Sequence, residues 1–314
     1  MGVLWIGCLC MLQAPSESAR AGVPVELMDA EVRAVEFDAD GTLWVVTREN
    51  GLARIDGEGL QWVSSGALPR GIADLAAIDQ VLWAVGLEGT GRLGADGWTA
   101  VDVPNQPRLV FGAVGGGPVG GIWLGTSVGA AHGSERGWTT MSESDGLPHA
   151  VVHQVLVEPG GDVWFLCRRG VARLRGGSLE VFRTDLNFRA GLVGPDGHPW
   201  FGTSGGLQRW TGSEFQSELA GVVPYPKLVA SDGTVWAGSA SDGVLRYRDG
   251  VWSRPLPELD GHEVFDVAEG PDGAIWIGTS VGLRRLVVGD SPGPARESSG
   301  SPVPPNGAAD SALR

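Results

Sequence analysis

The chain has 314 residues, a formal net charge of −14 and 42% hydrophobic residues, enough for a large core. The charge excludes general nucleic-acid binding, which needs a cationic surface, and suits a protein kept apart from its neighbours by self-repulsion. Fifty-one glycines and 13 tryptophans against two tyrosines and four methionines indicate many short strands joined by tight turns.

In chain order, residues 3–12 (VLWIGCLCML) form an apolar run of signal h-region length, followed by the small-x-small pattern Ala19-Arg20-Ala21. We read residues 1–21 as a signal segment and the protein as extracytoplasmic, periplasmic or secreted. The run is too short to span a bilayer as a helix. Gly7-Cys8 hints at a lipoprotein box, but Trp5 fits that pattern poorly.

From residue 22 to 289 the chain repeats itself. Trp44, Trp83, Trp123, Trp164, Trp200, Trp236 and Trp276 recur at intervals of 39, 40, 41, 36, 36 and 40. Before each lies an alternating apolar stretch and a turn such as PDG; after each come a second Gly turn and a strand opening G-x-x-Arg. That strand ends at Arg54, Arg92, Arg173, Arg209, Arg246 and Arg285, with His132 in the third unit. Most units close with another aromatic: Trp62, Trp98, Trp138, Phe182, Phe215 and Trp252. Seven units of four short strands predict an all-β, seven-bladed β-propeller of four-stranded blades. The seventh unit stops after its third strand, and VPVELMD (23–29) reads as the strand that completes this last blade and closes the ring. Residues 290–314, rich in Pro, Ser and Gly, read as a disordered tail.

The stretches GAIWIGTSVGLRRL (273–286), GGIWLGTSVG (120–129) and WTTMSESDGLPHAVVHQV (138–155) resemble two-component regulator propeller repeats, which form the extracytoplasmic sensor part of many bacterial signalling proteins. The resemblance implies the fold and a ligand-sensing role. It names no ligand, and these 314 residues contain no kinase part.

Several motifs suggest chemistry. G-x-S-x-G occurs around Ser127, Ser204 and Ser280, as in a nucleophile elbow, but that device needs a strand, a strained turn and then a helix. Here strands lie on both sides, so the glycines mark turns. Cys167 occupies the slot held elsewhere by Thr47, Thr126, Thr203, Ser239 and Thr279, and reads as a buried, inert thiol despite Arg168 and Arg169 beside it. The repeated arginines read as structural, stacked on tryptophan or paired with a turn aspartate. His149 and His153, four apart on a strand, would stand about 13 Å apart and cannot share a metal. No calcium loop, P-loop lysine or HExxH is present. We therefore assign no catalytic residue, no metal and no cofactor.

Function is then expected in what the repeats carry between them. The residues opening each first strand, near the channel mouth, read as Arg33, Arg70, Arg108, His149, Arg189, Lys227 and His262. The repeat family usually has small polar residues there. Phe188 and Tyr225 lie beside this ring and could stack on a sugar or an aromatic group. The pattern predicts a site for an anionic ligand such as an acidic oligosaccharide or a carboxylated metabolite. Two other readings stay open. One is a propeller lyase resembling streptogramin lyase, using His149, His262 and Glu263 with a divalent metal; the other is a protein-interaction platform on the rim.

Overall fold

The computed structural model describes residues 22–103, 110–115, 120–134, 136–182 and 185–287. The signal-like segment, the C-terminal tail and Arg108 lie outside the described residues.

Seven antiparallel sheets follow one another in chain order, six of four strands and the last of three. The innermost strands are Val32–Phe37, Ile72–Ile78, Val110–Gly115, Val152–Val157, Phe188–Val193, Pro224–Val229 and Val264–Glu269. Each neighbours the next, and the seventh returns to the first. The molecule is an all-β, seven-bladed propeller. Val35 N–H donates to Asp266 Oδ2 across the closing junction at 3.0 Å.

Second strands such as Ile122–Thr126 and Ile275–Thr279 are buried on both faces. They read as continuous apolar runs because neighbouring blades cover them on each side. The core is accordingly divided into seven clusters, one between each pair of adjacent blades. Trp164, Trp200 and Trp236 are fully buried in them. Each contributes at most about 5 kcal/mol of apolar transfer free energy.

Repeated polar residues hold several of the tryptophans in place. Asp38, Glu158 and Asp196, at the turns between first and second strands, accept the indole N–H of Trp44, Trp164 and Trp200. Arg209 pairs with Asp196 at 2.9 Å, Arg285 with Asp272 at 2.5 Å, and Arg173 with Glu180 at 2.7 Å. Arg173 and Arg285 also lie over Trp164 and Trp276. In these blades the G-x-x-Arg arginine is structural, as its repetition implies.

The N-terminal segment completes the last blade, but not as the strand expected. Val25–Leu27 forms a single 3-10 turn, and the seventh sheet ends at its third strand, Gly282–Leu286. Pro24 carries no N–H for a ladder. The next donors are used locally, Leu27 N–H to Pro24 O and Met28 N–H to Val25 O. Closure comes from packing instead. Leu27 is fully buried with Val23 against Leu283 and Trp276, and Arg284 Nη1 donates to Met28 O at 3.0 Å.

Candidate ligand-binding site

The turns between second and third strands share one face with the links that enter each first strand. Backbone bonds tie the two together: Arg48 N–H to Glu31 O, Leu87 N–H to Arg70 O, Ser204 N–H to Asn187 O and Ser280 N–H to Glu263 O. The serines of two G-x-S-x-G matches belong to this latch. Ser204 Oγ accepts from Asn187 N–H, and Ser280 Oγ from Glu263 N–H. The adjoining threonine is a second clamp. Thr126, Thr203 and Thr279 each donate across the turn to the carbonyl of Gly129, Gly206 and Gly282. Each also accepts a backbone N–H from within the turn. Cys167 replaces this hydroxyl in the fourth blade. It is fully buried, its Sγ lies 3.6 Å from Phe165 O, and burial pushes its thiol up to about 12.

Every first strand carries a bulge. The residue without a cross-strand partner is Arg33, Ala73, Phe111, His153, Arg189 and Phe265 in six blades, and Lys227, further along its strand, in the sixth blade. A bulge re-aims its side chain, and four of these residues line the central channel, a cavity of about 230 Å³. This corrects the expected ring. Arg33, Arg189 and Lys227 do occupy bulges. Arg70, His149 and His262 lie three or four residues earlier, in the links, so the predicted positions mix two levels.

The channel itself is polarised. Glu36, Asp74 and Asp266 face it from blades 1, 2 and 7, and His153, Arg189 and Lys227 from blades 4, 5 and 6. Lys227 Nζ bridges the two arcs, 3.4 Å from Asp266 Oδ1. Burial opposes the Lys227 charge, but Asp266 and Asp74 hold the ammonium above the ordinary lysine range. Burial and then the neighbouring Asp266 raise Glu36 to about 8, so its carboxyl is protonated at neutral pH. Burial, with Arg189 and Arg168 behind it, lowers His153 to about 4, leaving the imidazole neutral. Of these acids the expected ring contained none.

On the mouth face, a groove of about 700 Å³ lies between blades 1 and 2, with Arg33, Arg48 and Arg70 around it together with Asn50, Ser64 and Ser65. Glu31 binds both Arg33 and Arg48, at 2.5 and 3.1 Å. Its burial favours the neutral acid, but the two guanidinium groups outweigh that and lower it. Arg33 also lies over Phe265, 5.3 Å from the ring centre. Arg70 is 85% exposed and pairs with Glu88 at 3.5 Å. Arg48 was not in the expected ring; it follows the Thr47 clamp and reaches the groove from the second turn.

The remaining predicted residues are dispersed. Phe188 is fully buried, edge-on to Phe201 and Phe215, and offers no face to a ligand. Tyr225 is half-buried. His149 Nδ1 accepts from Val151 N–H at 2.9 Å. Among the described residues no three His, Cys, Asp or Glu side chains are grouped so as to hold a metal ion, His149, His262 and Glu263 included.

No family model matches the sequence, and no curated protein matches it. Solved structures do resemble it. The extracellular domain of BT3049, described as a hybrid two-component system of B. thetaiotaomicron, superposes with a TM-score of 0.68 at 17% identity. That alignment covers 82% of this chain and 40% of the other, so the chain spans well under half of that domain. Virginiamycin B lyase from Staphylococcus aureus, in a catalytically inactive form with quinupristin, gives 0.67 at 14% identity over 83% of this chain and 96% of its own. YCF48 from Cyanidioschyzon merolae gives 0.61 at 15% identity, over 84% and 96%. What they share with this chain is the fold. Among the described residues no helix is long and apolar enough to cross a membrane.

Proposed function

We propose that this propeller is an extracytoplasmic ligand-binding component, of the kind that forms the extracellular part of two-component sensors, and that it takes an anionic ligand at the mouth face. The observation that carries this reading is the convergence of Arg33, Arg48 and Arg70 on one open groove. Guanidinium forks match carboxylates bidentately, and hydroxyls and an amide stand beside them. Arg189 and Lys227 extend the positive side into the channel. The chemistry fits an acidic oligosaccharide or a carboxylated metabolite. The signal-like residues 1–21 and the fold shared with extracellular sensor domains support the location.

Calorimetric titration with oligogalacturonate tests it. The wild type should bind and an Arg48→Ala/Arg70→Ala variant should lose at least about tenfold in affinity, roughly 1.4 kcal/mol. Binding should also weaken as salt rises. Equal affinity in both proteins would overturn the reading.

A further inference from the structure

The second blade departs from the other six in one respect. Its second strand, Val81–Gly86, leaves Val81 and Trp83 half-exposed, whereas the equivalent tryptophans are all buried. The preceding turn differs as well. In blades 1, 4, 5, 6 and 7 a longer turn carries a left-handed glycine (Gly41, Gly161, Gly197, Gly233 and Gly273); here Asp79 and Gln80 alone connect Ile78 to Val81, both with positive φ (49° and 66°). Such a two-residue turn is the tightest hairpin connection, and it supplies no acid positioned like Asp38 or Asp196. Trp83 therefore makes none of the indole bonds that hold Trp44, Trp164 and Trp200.

Arg92 is released by a second departure in the same blade. It stands opposite Thr99 on the fourth strand, Gly97–Val101, where Arg54 and Arg173 stand opposite Gln61 and Glu180 and bond to them. Threonine is too short to reach. Arg92 is exposed and makes no ion pair or ring contact among the described residues. Across from it, Trp138 of blade 3 lies flat on Gly133; a Cβ there would meet its ring at 2.7 Å.

Between the two blades these residues enclose a groove of about 630 Å³, a volume ordinary for a ligand cleft. Its walls are Trp83 and Trp138, and its polar groups Arg92, Thr99, Asp79 and Asp102. It lies beside the turns between first and second strands, on the face opposite the arginine groove. We infer that this cleft binds a neutral pyranose oligosaccharide. Half-exposed indole rings stack on the C–H faces of sugar rings. A free guanidinium with carboxylates and a hydroxyl forms the donor-and-acceptor set that sugar hydroxyls need. One cation against two carboxylates disfavours an anion, which separates this cleft from the mouth-face groove.

The test is titration of the full chain with cellohexaose, xylohexaose and mannohexaose, read by calorimetry and tryptophan emission. At least one should bind saturably and shift the emission. Arg92→Ala, an exposed change, should weaken that binding at least about tenfold, about 1.4 kcal/mol. Trp138→Leu should do the same, with Trp138→Phe keeping most of the affinity. Arg48→Ala/Arg70→Ala should leave it unchanged, so that failure here and failure of the anion site are separate results. Binding of none of the three hexasaccharides, or equal affinity in wild type and Arg92→Ala, would overturn the inference.

Discussion

Replacing Glu36 by glutamine should change how stability depends on pH, and the channel dictates the direction. The Glu36 carboxyl titrates near 4.5 in the unfolded chain and at about 8 in the folded one. The folded state therefore keeps a proton that the unfolded state has lost. The resulting stability is complete below pH 4.5 and disappears as pH rises through about 8. His153 acts in the opposite sense. Its ring titrates near 6.5 unfolded and at about 4 folded, so its contribution is complete above pH 6.5 and disappears as pH falls through about 4. Between pH 4.5 and 6.5 the two slopes cancel. Above 6.5 only Glu36 acts, and stability should fall by at most about 1.4 kcal/mol per pH unit, or about 2 kcal/mol by pH 8. Channel water screens part of this, so these are upper bounds.

Glutamine reproduces the protonated acid and still accepts the Phe37 N–H that Glu36 Oε1 accepts at 2.9 Å. The variant should lose the decline above pH 6.5. It should also expose the His153 slope, with a loss of at most about 3.4 kcal/mol between pH 6.5 and 4. Urea unfolding followed by tryptophan emission at half-unit pH steps measures both arms. A wild type whose stability rises or stays level from pH 6.5 to 8, or a variant with the same slope as wild type, would refute the reasoning.

Other consequences are simpler. Thr279→Val should cost about 1 kcal/mol through the lost bond to Gly282 O, measured by urea unfolding. Cys167→Thr should restore the clamp and leave stability within about 1 kcal/mol of wild type, and the native thiol should not react with Ellman's reagent until the protein unfolds. Leu27→Ala should cost about 2–5 kcal/mol by leaving a cavity at the ring closure. Gly282→Ala should prevent stable folding, because its φ is 119° and a Cβ would sit 1.8 Å from Met28 O; soluble yield and circular dichroism report it.

The scaffold was readable because every blade repeats the same physical problem. A second strand buried on both faces takes a tryptophan in each unit, and several units add a turn acid for its N–H or an arginine over its ring, so these residue types recur along the chain. The channel was not readable by the same counting. In an unbroken strand alternate residues share a face, but a bulge breaks that parity, and the sixth blade moves the bulge further along to Lys227. Taking the residue that opens each first strand therefore puts Arg70 and Arg189 in one ring, although one lies in a link and the other inside the channel. It also passes over Glu36, Asp74 and Asp266, which face the channel from the first strands of blades 1, 2 and 7. The N-terminal segment misled for a local reason: VPVELMD alternates like a strand, but Pro24 begins a turn that uses the next donors itself.

The departures from the repeat carry more information about function than the repeat does. Three tryptophans have their indole N–H held by a turn acid, and four of the repeated arginines, Arg54, Arg173, Arg209 and Arg285, have hydrogen-bonded or charged partners. Such residues are committed to the blade. Where a turn shortens, as at Asp79-Gln80, or a partner shrinks, as at Thr99, the same residue types are freed and face solvent. Arg70 and Arg92 illustrate the two ways a cation becomes available in this fold: one sits on a link outside the repeat, and the other is a repeat residue whose partner is too short to reach it. Both stand on grooves between blades rather than on blade surfaces. A radial array leaves such clefts open wherever neighbouring sheets fail to cover each other fully.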